Sequence, residues 1–217
     1  MREQDAAGFV LAGGRSSRMG TDKALVEFCG QPLVAHALEI LREAGLSAAI
    51  AGAQPALSTF APVVPDDKPG LGPLGGVCAA MASTTAPWTV FIPVDLPLLP
   101  ASLVQYLLNH ACVTGKAITI SSVAGFAQTF PAVIAQPAFL GLQAELETGR
   151  AGCFSAFKSA AAGLEQAIDV ISVELLAQSG QVSHPEGLPA AIWFSNINSV
   201  EDLRLAETDR RNGPREL

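Results

Sequence analysis

One loop near the start of the chain concentrates side chains that bind anions. Residues 11–23 read LAGGRSSRMGTDK and directly follow the apolar run of residues 9–11. The glycines let backbone N–H groups approach an anion, and two arginines and a lysine add positive charge. The chain has only 13 Lys and Arg residues, so three between Arg15 and Lys23 form a local concentration. We interpret the loop as a phosphate-binding segment; the alternative is a solvated surface loop.

Two well-known nucleotide-binding motifs fit the chain poorly. A P-loop requires Ser or Thr after its lysine to hold magnesium, but Ala24 follows Lys23. Residues 70–75 read GLGPLG and match the dinucleotide pattern G-x-G-x-x-G, with Asp95 twenty residues further on. However, Pro73 removes a backbone N–H, and polar residues separate the preceding strand from the first glycine. The pattern therefore favours a tight turn into a closely packed helix over a dinucleotide site.

Polar side chains follow several predicted strands at the point where each strand ends. Asp95 comes after the strongly apolar residues 88–92, and Asp66 and Asn198 follow two other predicted strands. A carboxylate at a strand end suits magnesium, which pairs one or two carboxylates with phosphate oxygens of a substrate. The alternatives are a turn or helix cap at Asp95 and a cap of the last helix at Asn198. Because ligands of open α/β sheets bind beyond the carboxyl ends of the strands, we expect these residues to converge on the basic loop.

Apolar runs typical of buried strands alternate with helical patterns, which predicts an α/β fold. Ser199, with Asp202 three positions later, predicts a capping box at the start of the last helix. Residues 175–189 are rich in turn formers and predict a loop. The predicted strands are 7–12, 48–51, 61–65, 88–92, 117–121, 127–135, 167–173 and 191–194. The predicted helices begin at 32, 100, 139, 154 and 199, and a further helix of small residues follows the segment 68–76 and runs to Ser83.

Composition limits the classes of protein that the chain can represent. With 217 residues, 49% of them hydrophobic, one domain over residues 1–209 is expected, followed by a charged tail over 210–217. A net charge of −7 disfavours nucleic acid as a partner. Apolar runs too short for a membrane span and a charged start predict a cytoplasmic protein without a membrane partner. The spacing of the four cysteines and three histidines predicts no zinc site.

Four motifs together resemble the molybdenum cofactor guanylyltransferases, members of the nucleotidyltransferase superfamily. They are LAGGRSSRMGTDKAL at 11–25, GPLGG at 72–76, PVDLP at 93–97 and NINSVEDL at 196–203. They occur in the order found in that family, and the resemblance spans about residues 8–207. It implies a three-layer, Rossmann-like fold of the nucleotide-diphospho-sugar transferase type, with a mostly parallel sheet. It also implies a Mg²⁺-dependent enzyme that moves GMP from GTP to molybdopterin carrying molybdenum and releases pyrophosphate.

The resemblance also implies roles for individual residues. Arg18 and Lys23 would neutralise the triphosphate, and Asp95 would bind both Mg²⁺ and nucleotide, with Asn198 as a second metal contact. Gly14 favours the guanylyl branch, because cytidylyl relatives usually carry LAAG at this motif. The remaining nucleotide contacts implied by the family are Leu11, Ala12, Gly13 and Asp66. A protein that delivers the cofactor is a further partner that this function allows.

Two positions depart from the family pattern. An asparagine-containing segment commonly follows the second strand, whereas this chain has IAGAQ, with Gln54 as the candidate replacement. The family often has a basic residue or histidine before the proline at 131, where this chain has Phe130. The alternatives are therefore CTP transfer to molybdopterin or another phosphorylated acceptor and, in a different class, a non-catalytic nucleotide- or dinucleotide-binding protein.

Overall fold

A seven-stranded sheet forms the centre of the protein. The computed structural model describes residues 5–12, 22–52, 55–66, 72–149 and 152–212. The sheet has the strand order β5-β4-β1-β6-β8-β7-β9, and a separate hairpin pairs β2 with β3. The strands are β1 (Ala6–Leu11), β2 (Glu27–Phe28), β3 (Gln31–Pro32), β4 (Ser47–Ala51), β5 (Val63–Val64), β6 (Trp88–Pro93), β7 (Ile118–Val123), β8 (Phe126–Ala135) and β9 (Asp169–Ser172).

The sheet is mostly parallel, as the sequence predicts. Strands β5, β4, β1 and β6 pair in parallel, and so do β7 and β9. Only β8 runs against its neighbours, pairing antiparallel with both β6 and β7. The carboxyl ends of β1, β4, β5 and β6 therefore lie along one edge of the sheet, where the ligand site of such a sheet is expected.

Helices cover both faces of the sheet and make it the middle of three layers. Residues of α1, α3, α6 and α7 pack in the hydrophobic core on one face, and residues of α2, α4 and α5 pack in the core on the other. This arrangement confirms the predicted three-layer α/β class. The helices are α1 (Leu33–Glu43), α2 (Pro73–Ala82), α3 (Ala101–Thr114), α4 (Phe139–Glu147), α5 (Cys153–Ala162), α6 (Val173–Gln178) and α7 (Val200–Asn212).

Strand β6 shows why a continuous apolar run predicts a central strand. It lies between β1 and β8, and four consecutive residues from Thr89 to Ile92 are buried. A strand covered by helices on both faces buries side chains on both faces, so it lacks the alternation of a half-exposed strand. The hydroxyl of Thr89 donates a hydrogen bond to the carbonyl of Ile134 at 3.0 Å, which satisfies its buried oxygen.

The strand predicted at residues 191–194 is wrong. A 3₁₀ helix, Ala190–Ile192, lies there instead, and an irregular segment follows. Trp193 is buried, and its indole N–H donates to the carbonyl of Leu188 at 2.8 Å. Because a buried indole N–H needs an acceptor, this bond closes a compact turn that an extended strand could not make. Asn198 therefore follows a loop rather than a strand.

The loop predicted at residues 175–189 and the tail predicted from Arg210 also differ from the structure. Helix α6 occupies the start of that loop because the Ser172 hydroxyl caps it, accepting from the Leu175 N–H at 3.4 Å. Helix α7 continues to Asn212, so the first residues of the charged tail are helical. No helix within the described ranges is long and apolar enough to cross a membrane.

Candidate active site

Three polar side chains from distant parts of the chain meet beyond the end of β6. The ammonium of Lys23 donates to Asp95 Oδ2 at 2.7 Å and to Asn198 Oδ1 at 2.6 Å. The side chains of Lys23 and Asp95 are only 17% and 20% exposed, so the ion pair is largely shielded from water. Of the residues predicted to converge on the basic loop, Asp95 and Asn198 therefore meet Lys23, the last residue of that loop, whereas Asp66 does not.

Lys23 is positioned by a short 3₁₀ helix, Lys23–Leu25, at the exit of the basic loop. The side chain of Asp22 caps this helix, because its Oδ1 accepts the Ala24 N–H at 3.1 Å. The second carboxylate oxygen of Asp22 is buried and makes no hydrogen bond to any residue that the structure describes. Asp22 is not among the residues predicted from the sequence, although a capping residue type directly before Lys23 is a recognisable signal.

Backbone hydrogen bonds hold Asp95 and the loop before α7 together. Asp95 lies two residues beyond β6, and the N–H of Val94 donates to the carbonyl of Leu11 at 3.2 Å. The carbonyl of Asp95 accepts the Ile197 N–H at 3.0 Å, and the Ile197 side chain is fully buried. This bond brings Asn198, the next residue, beside Asp95 without any strand at this position.

The predicted capping box at the start of α7 is present and holds Asn198. The Ser199 hydroxyl accepts the Asp202 N–H at 3.1 Å, and the Asp202 carboxylate accepts the Asn198 N–H at 2.9 Å. The hydrogen bond from Asn198 is the largest reason why the pKa of Asp202 lies below its ordinary value. Asn198 thus joins the cap through its backbone, and its side-chain oxygen faces Lys23. Its contact with a metal stays a prediction.

The donor atoms at this site suit a hard divalent cation. Asp95 supplies a carboxylate oxygen and Asn198 an amide oxygen, and both already point at one cation, the ammonium of Lys23. Mg²⁺ prefers oxygen donors and is often held by one or two carboxylates together with waters and substrate phosphates. Within the part of the chain that is described, no group of three or more His, Cys, Asp or Glu residues could hold a metal. The pair therefore fits Mg²⁺ shared with a phosphate ligand rather than an all-protein metal cage.

Asp66 lies on the same edge of the sheet but further along it. It follows β5, and β4 and β1 separate β5 from β6, so the two strand ends are about 14 Å apart at the usual spacing of neighbouring strands. Its carboxylate faces the first turn of α2, where a Cβ added to Gly75 would lie 2.6 Å from Asp66 Oδ2. A helix N-terminus favours a negative charge, so Asp66 also has a structural function at this position.

Gly75 and Gly76 provide a matched test of this contact. We expect Gly75→Ala to lower the free energy of unfolding by about 1 kcal/mol relative to Gly76→Ala, because its new methyl group displaces the Asp66 carboxylate. A Cβ on Gly76 would meet Leu11 Cδ2 at 3.5 Å, an ordinary contact, and alanine is the better helix former. Urea denaturation of both variants measures the difference; equal stabilities would argue against the contact.

The other predicted site residues either lie at the end of β1 or fall outside the described residues. The side chains of Leu11 and Ala12 are buried on opposite faces of the sheet, which leaves their backbone for any contact with a nucleotide. Their backbone is fixed by the bond from the Ala12 N–H to the carbonyl of Ala51 at 3.1 Å. Four candidates fall outside the described residues: Gly13, Gly14, Arg18 and Gln54.

Phe130, which departs from the family pattern, is a packing residue. Its ring is half-buried and meets the ring of Phe157 edge-on, with centroids 5.9 Å apart. Phe157 is fully buried in the core beneath α2, α4 and α5. An aromatic ring offers no charge to an anionic acceptor, so any basic contact with the acceptor comes from another residue.

The C-terminal half of α7 contacts the hairpin of β2 and β3, which follows Lys23. Glu207 accepts the Cys29 N–H at 3.3 Å, and the guanidinium of Arg210 lies 5.7 Å from the ring centre of Phe28. Arg210 also forms a two-pronged ion pair with Glu186, with its Nη2 2.6 Å from Oε1. Helix α7 therefore contacts the segment around Lys23 at both of its ends.

The pair between Arg210 and Glu186 predicts a pH-dependent contribution to stability. The hydrogen bonds from Arg210 are the main reason why the pKa of Glu186 lies below its ordinary value. The pair therefore stabilises the folded chain at neutral pH, and this contribution is lost as the pH falls through and below about 4.3. We expect Glu186→Gln to cost under about 1 kcal/mol at pH 7, a cost that disappears in acid. Urea titrations at pH 7 and in acid measure the loss of stability in Glu186→Gln. A loss that does not change with pH would contradict the stabilising function of this ion pair.

Known proteins with similar sequences identify the family of this chain. The sequence profile of the MobA-like NTP transferase domain matches residues 8–167. A molybdenum cofactor guanylyltransferase of Cupriavidus metallidurans is 33% identical over 218 aligned positions, covering 96% of this chain and 98% of that protein. Another, of Xanthomonas euvesicatoria, is 46% identical over 111 positions, which are 49% of this chain and 57% of that protein.

A solved structure with the same fold supports the predicted fold type. The crystal structure of molybdopterin-guanine dinucleotide biosynthesis protein A from Archaeoglobus fulgidus superposes with a TM-score of 0.75, covering 95% of this chain and 99% of that one, at 20% identity. The fold is thus of the nucleotide-diphospho-sugar transferase type, and the resemblance seen in the four motifs is confirmed. The chain belongs to the MobA-like NTP transferase family and is a nucleotidyltransferase.

Proposed function

We propose that this chain is a Mg²⁺-dependent guanylyltransferase that moves GMP from GTP to the phosphate of molybdopterin carrying molybdenum. The observation that carries the proposal is the meeting of Lys23, Asp95 and Asn198 beyond β6: one cation beside two oxygen donors, at the ligand edge of the sheet. The nucleotide and the acceptor come from the name of the Cupriavidus relative that matches over nearly its whole length.

The reaction is an in-line displacement at the α-phosphorus of GTP. An oxygen of the acceptor phosphate forms the new bond to that phosphorus, the bond to the β-phosphate oxygen breaks, and pyrophosphate leaves with the electron pair. Such transfers depend mainly on positioning and on neutralising charge at the phosphate oxygens. Because the acceptor phosphate is already largely ionised at neutral pH, the reaction needs no strong general base.

Lys23 stabilises the negative charge of the leaving pyrophosphate. Its ammonium is a compact point charge on a flexible four-carbon stem, so it can follow charge that shifts toward the outer phosphates. The family resemblance gives Arg18 the same function. Asp95 and Asn198 would hold Mg²⁺, which supplies further neutralisation of phosphate oxygens when bound.

The remaining predicted residues would bind the nucleoside. Leu11, Ala12 and Gly13 would border the base and ribose, and Asp66 would contact the nucleotide about 14 Å along the edge, given the strand spacing. The preference for guanine over cytosine follows from Gly14 in the first motif. We further propose that the reaction takes place in the cytoplasm, where a second protein delivers the molybdenum-bearing acceptor.

A nucleotide panel tests the proposal directly. Thermal unfolding would be followed with GTP, CTP and NAD, each with and without Mg²⁺, since a ligand stabilises the state that it binds. We expect the largest rise in Tm with GTP and Mg²⁺ together. A larger shift with CTP would instead identify a cytidylyltransferase, and a shift with NAD alone would identify a dinucleotide-binding protein without transfer chemistry.

A further inference from the structure

We infer that Asp95 and Asn198 exchange cations: they hold the ammonium of Lys23 when no metal is present, and they release it to the nucleotide when they take up a divalent cation. This inference rests on the proposed function, because it concerns how the metal ligands and the phosphate-binding lysine of that reaction are coupled. It assigns Lys23 a second function, as an internal competitor for the metal site.

The two cations cannot share this position. Lys23 uses two of its three ammonium donors on the proposed metal ligands, at 2.7 Å and 2.6 Å. Mg²⁺ would need the same two oxygens at about 2.1 Å, which brings it against the ammonium. A doubly charged ion so close to an ammonium is strongly repelled, and the low exposure of Lys23 and Asp95 limits screening by water.

Lys23 is the partner that can move. The carbonyl of Asp95 is tied to the N–H of Ile197, and the N–H of Asn198 is tied to the carboxylate of Asp202. The backbones that carry the two ligands are thus fixed by bonds that do not involve Lys23. The ammonium, in contrast, sits at the end of a long side chain whose hydrogen bonds at this site are those to Asp95 and Asn198.

The exchange would make binding cooperative: the metal and the triphosphate would each bind more tightly when the other is present. In the metal-free protein, Lys23 and Asp95 neutralise each other, so the site attracts neither an anion nor a cation strongly. Once the cation occupies the two oxygens, the ammonium is free to pair with phosphate oxygens, and a charge-assisted bond to phosphate is stronger than one to water. The pairing would thus weaken the binding of either ligand alone without preventing it.

The first test measures binding of Mn²⁺ alone, without nucleotide, by the loss of the electron paramagnetic resonance signal of free Mn²⁺. We expect Lys23→Met to bind Mn²⁺ about tenfold more tightly than the wild-type protein, because the competing ion pair is gone. Lys158→Met removes the same charge on the exposed face of α5 and should bind like wild type. Asp95→Asn should bind more weakly than both. An unchanged or weaker affinity in Lys23→Met would overturn the inference, as would an absence of Mn²⁺ binding in all four proteins.

A second test uses only the wild-type protein, so it does not depend on whether a variant folds. Acetylation of lysines by an N-hydroxysuccinimide ester would be followed residue by residue by peptide mass mapping, with and without Mn²⁺. We expect the rate at Lys23 to rise several-fold with Mn²⁺, while the exposed Lys158 reacts equally in both conditions. Equal rates at Lys23 would mean that the ammonium is not displaced and would refute the exchange.

These tests separate the exchange from the proposed function. Neither contains nucleotide or acceptor, whereas transfer is measured by pyrophosphate release from GTP. Transfer without displacement of Lys23 would reject the exchange alone. Displacement of Lys23 by Mn²⁺ without any transfer would reject the guanylyltransferase proposal alone.

Discussion

Replacing Asp95 by alanine is expected to abolish GMP transfer, with a fall in kcat of at least about 10³-fold, while the fold stays intact. The substitution removes the carboxylate from the pair of oxygens that faces the cation position, and leaves Lys23 with Asn198 alone. The fold is expected to survive because Asp95 contributes to it through its backbone carbonyl, which accepts the Ile197 N–H in any variant. Pyrophosphate release measures transfer, and urea denaturation measures stability.

A carboxylate on β9, the outermost strand on the far side of the sheet from β5, supplies the control. Asp169 begins β9, its carboxylate accepts a hydrogen bond from His110 Nε2 at 2.8 Å, and 23% of its side chain is exposed. It is therefore as shielded as Asp95, but it lies at the amino end of its strand. Asp169→Ala should retain wild-type turnover. Wild-type turnover in Asp95→Ala would contradict the metal assignment.

Replacing Lys23 by alanine is expected to weaken GTP binding by about 10- to 100-fold and GMP binding by less than about threefold. The reason is geometric: the ammonium lies beside the proposed metal ligands, where the outer phosphates of GTP would be held, and GMP lacks those phosphates. Isothermal titration with each nucleotide in the presence of Mg²⁺ measures both affinities. An equal loss for GTP and GMP would place Lys23 at the α-phosphate or at a purely structural position.

Much of the fold follows from the distribution of apolar residues. The runs at β1, β6 and β8 predict buried strands, and the apolar stripe of α1 predicts an amphipathic helix, because burial of such faces dominates local preference. The segment around Trp193 is an exception to this relation between apolar runs and strands. It is apolar enough for a strand, but the bond from its indole to Leu188 selects a compact turn. A hydrogen bond between two residues only five positions apart overrides the apolar pattern there.

The site was predictable to the extent that chain topology determines it. Parallel strands deliver their carboxyl ends to one edge, so Asp66 and Asp95 are recognisable from their positions alone. Asn198 reaches the site by another path, through the bond between Ile197 and Asp95. The pairs between Arg210 and Glu186 and between Glu207 and Cys29 join residues that no spacing rule connects. Such contacts depend on how α7 docks, which local sequence patterns do not encode.

The predicted preference for guanine depends on a residue type rather than on a contact. Gly14 in the first motif favours the guanylyl branch by resemblance, but a base is selected by hydrogen bonds to its edge. Guanine recognition therefore stays a prediction, and so does the function of Asp66 toward the nucleotide. The Gly75→Ala variant tests the function of Asp66, since it displaces the Asp66 carboxylate without changing its charge.

Transfer of GMP is measured most directly by following the α-phosphorus itself. GTP labelled at that atom would be incubated with the full-length protein, Mg²⁺ and molybdopterin carrying molybdenum, and the products would be separated and counted. We predict that the label moves to the cofactor in step with pyrophosphate release, and that labelled CTP gives much less transfer. Label that stays in GTP, or appears only as free GMP, would contradict nucleotidyl transfer to this acceptor.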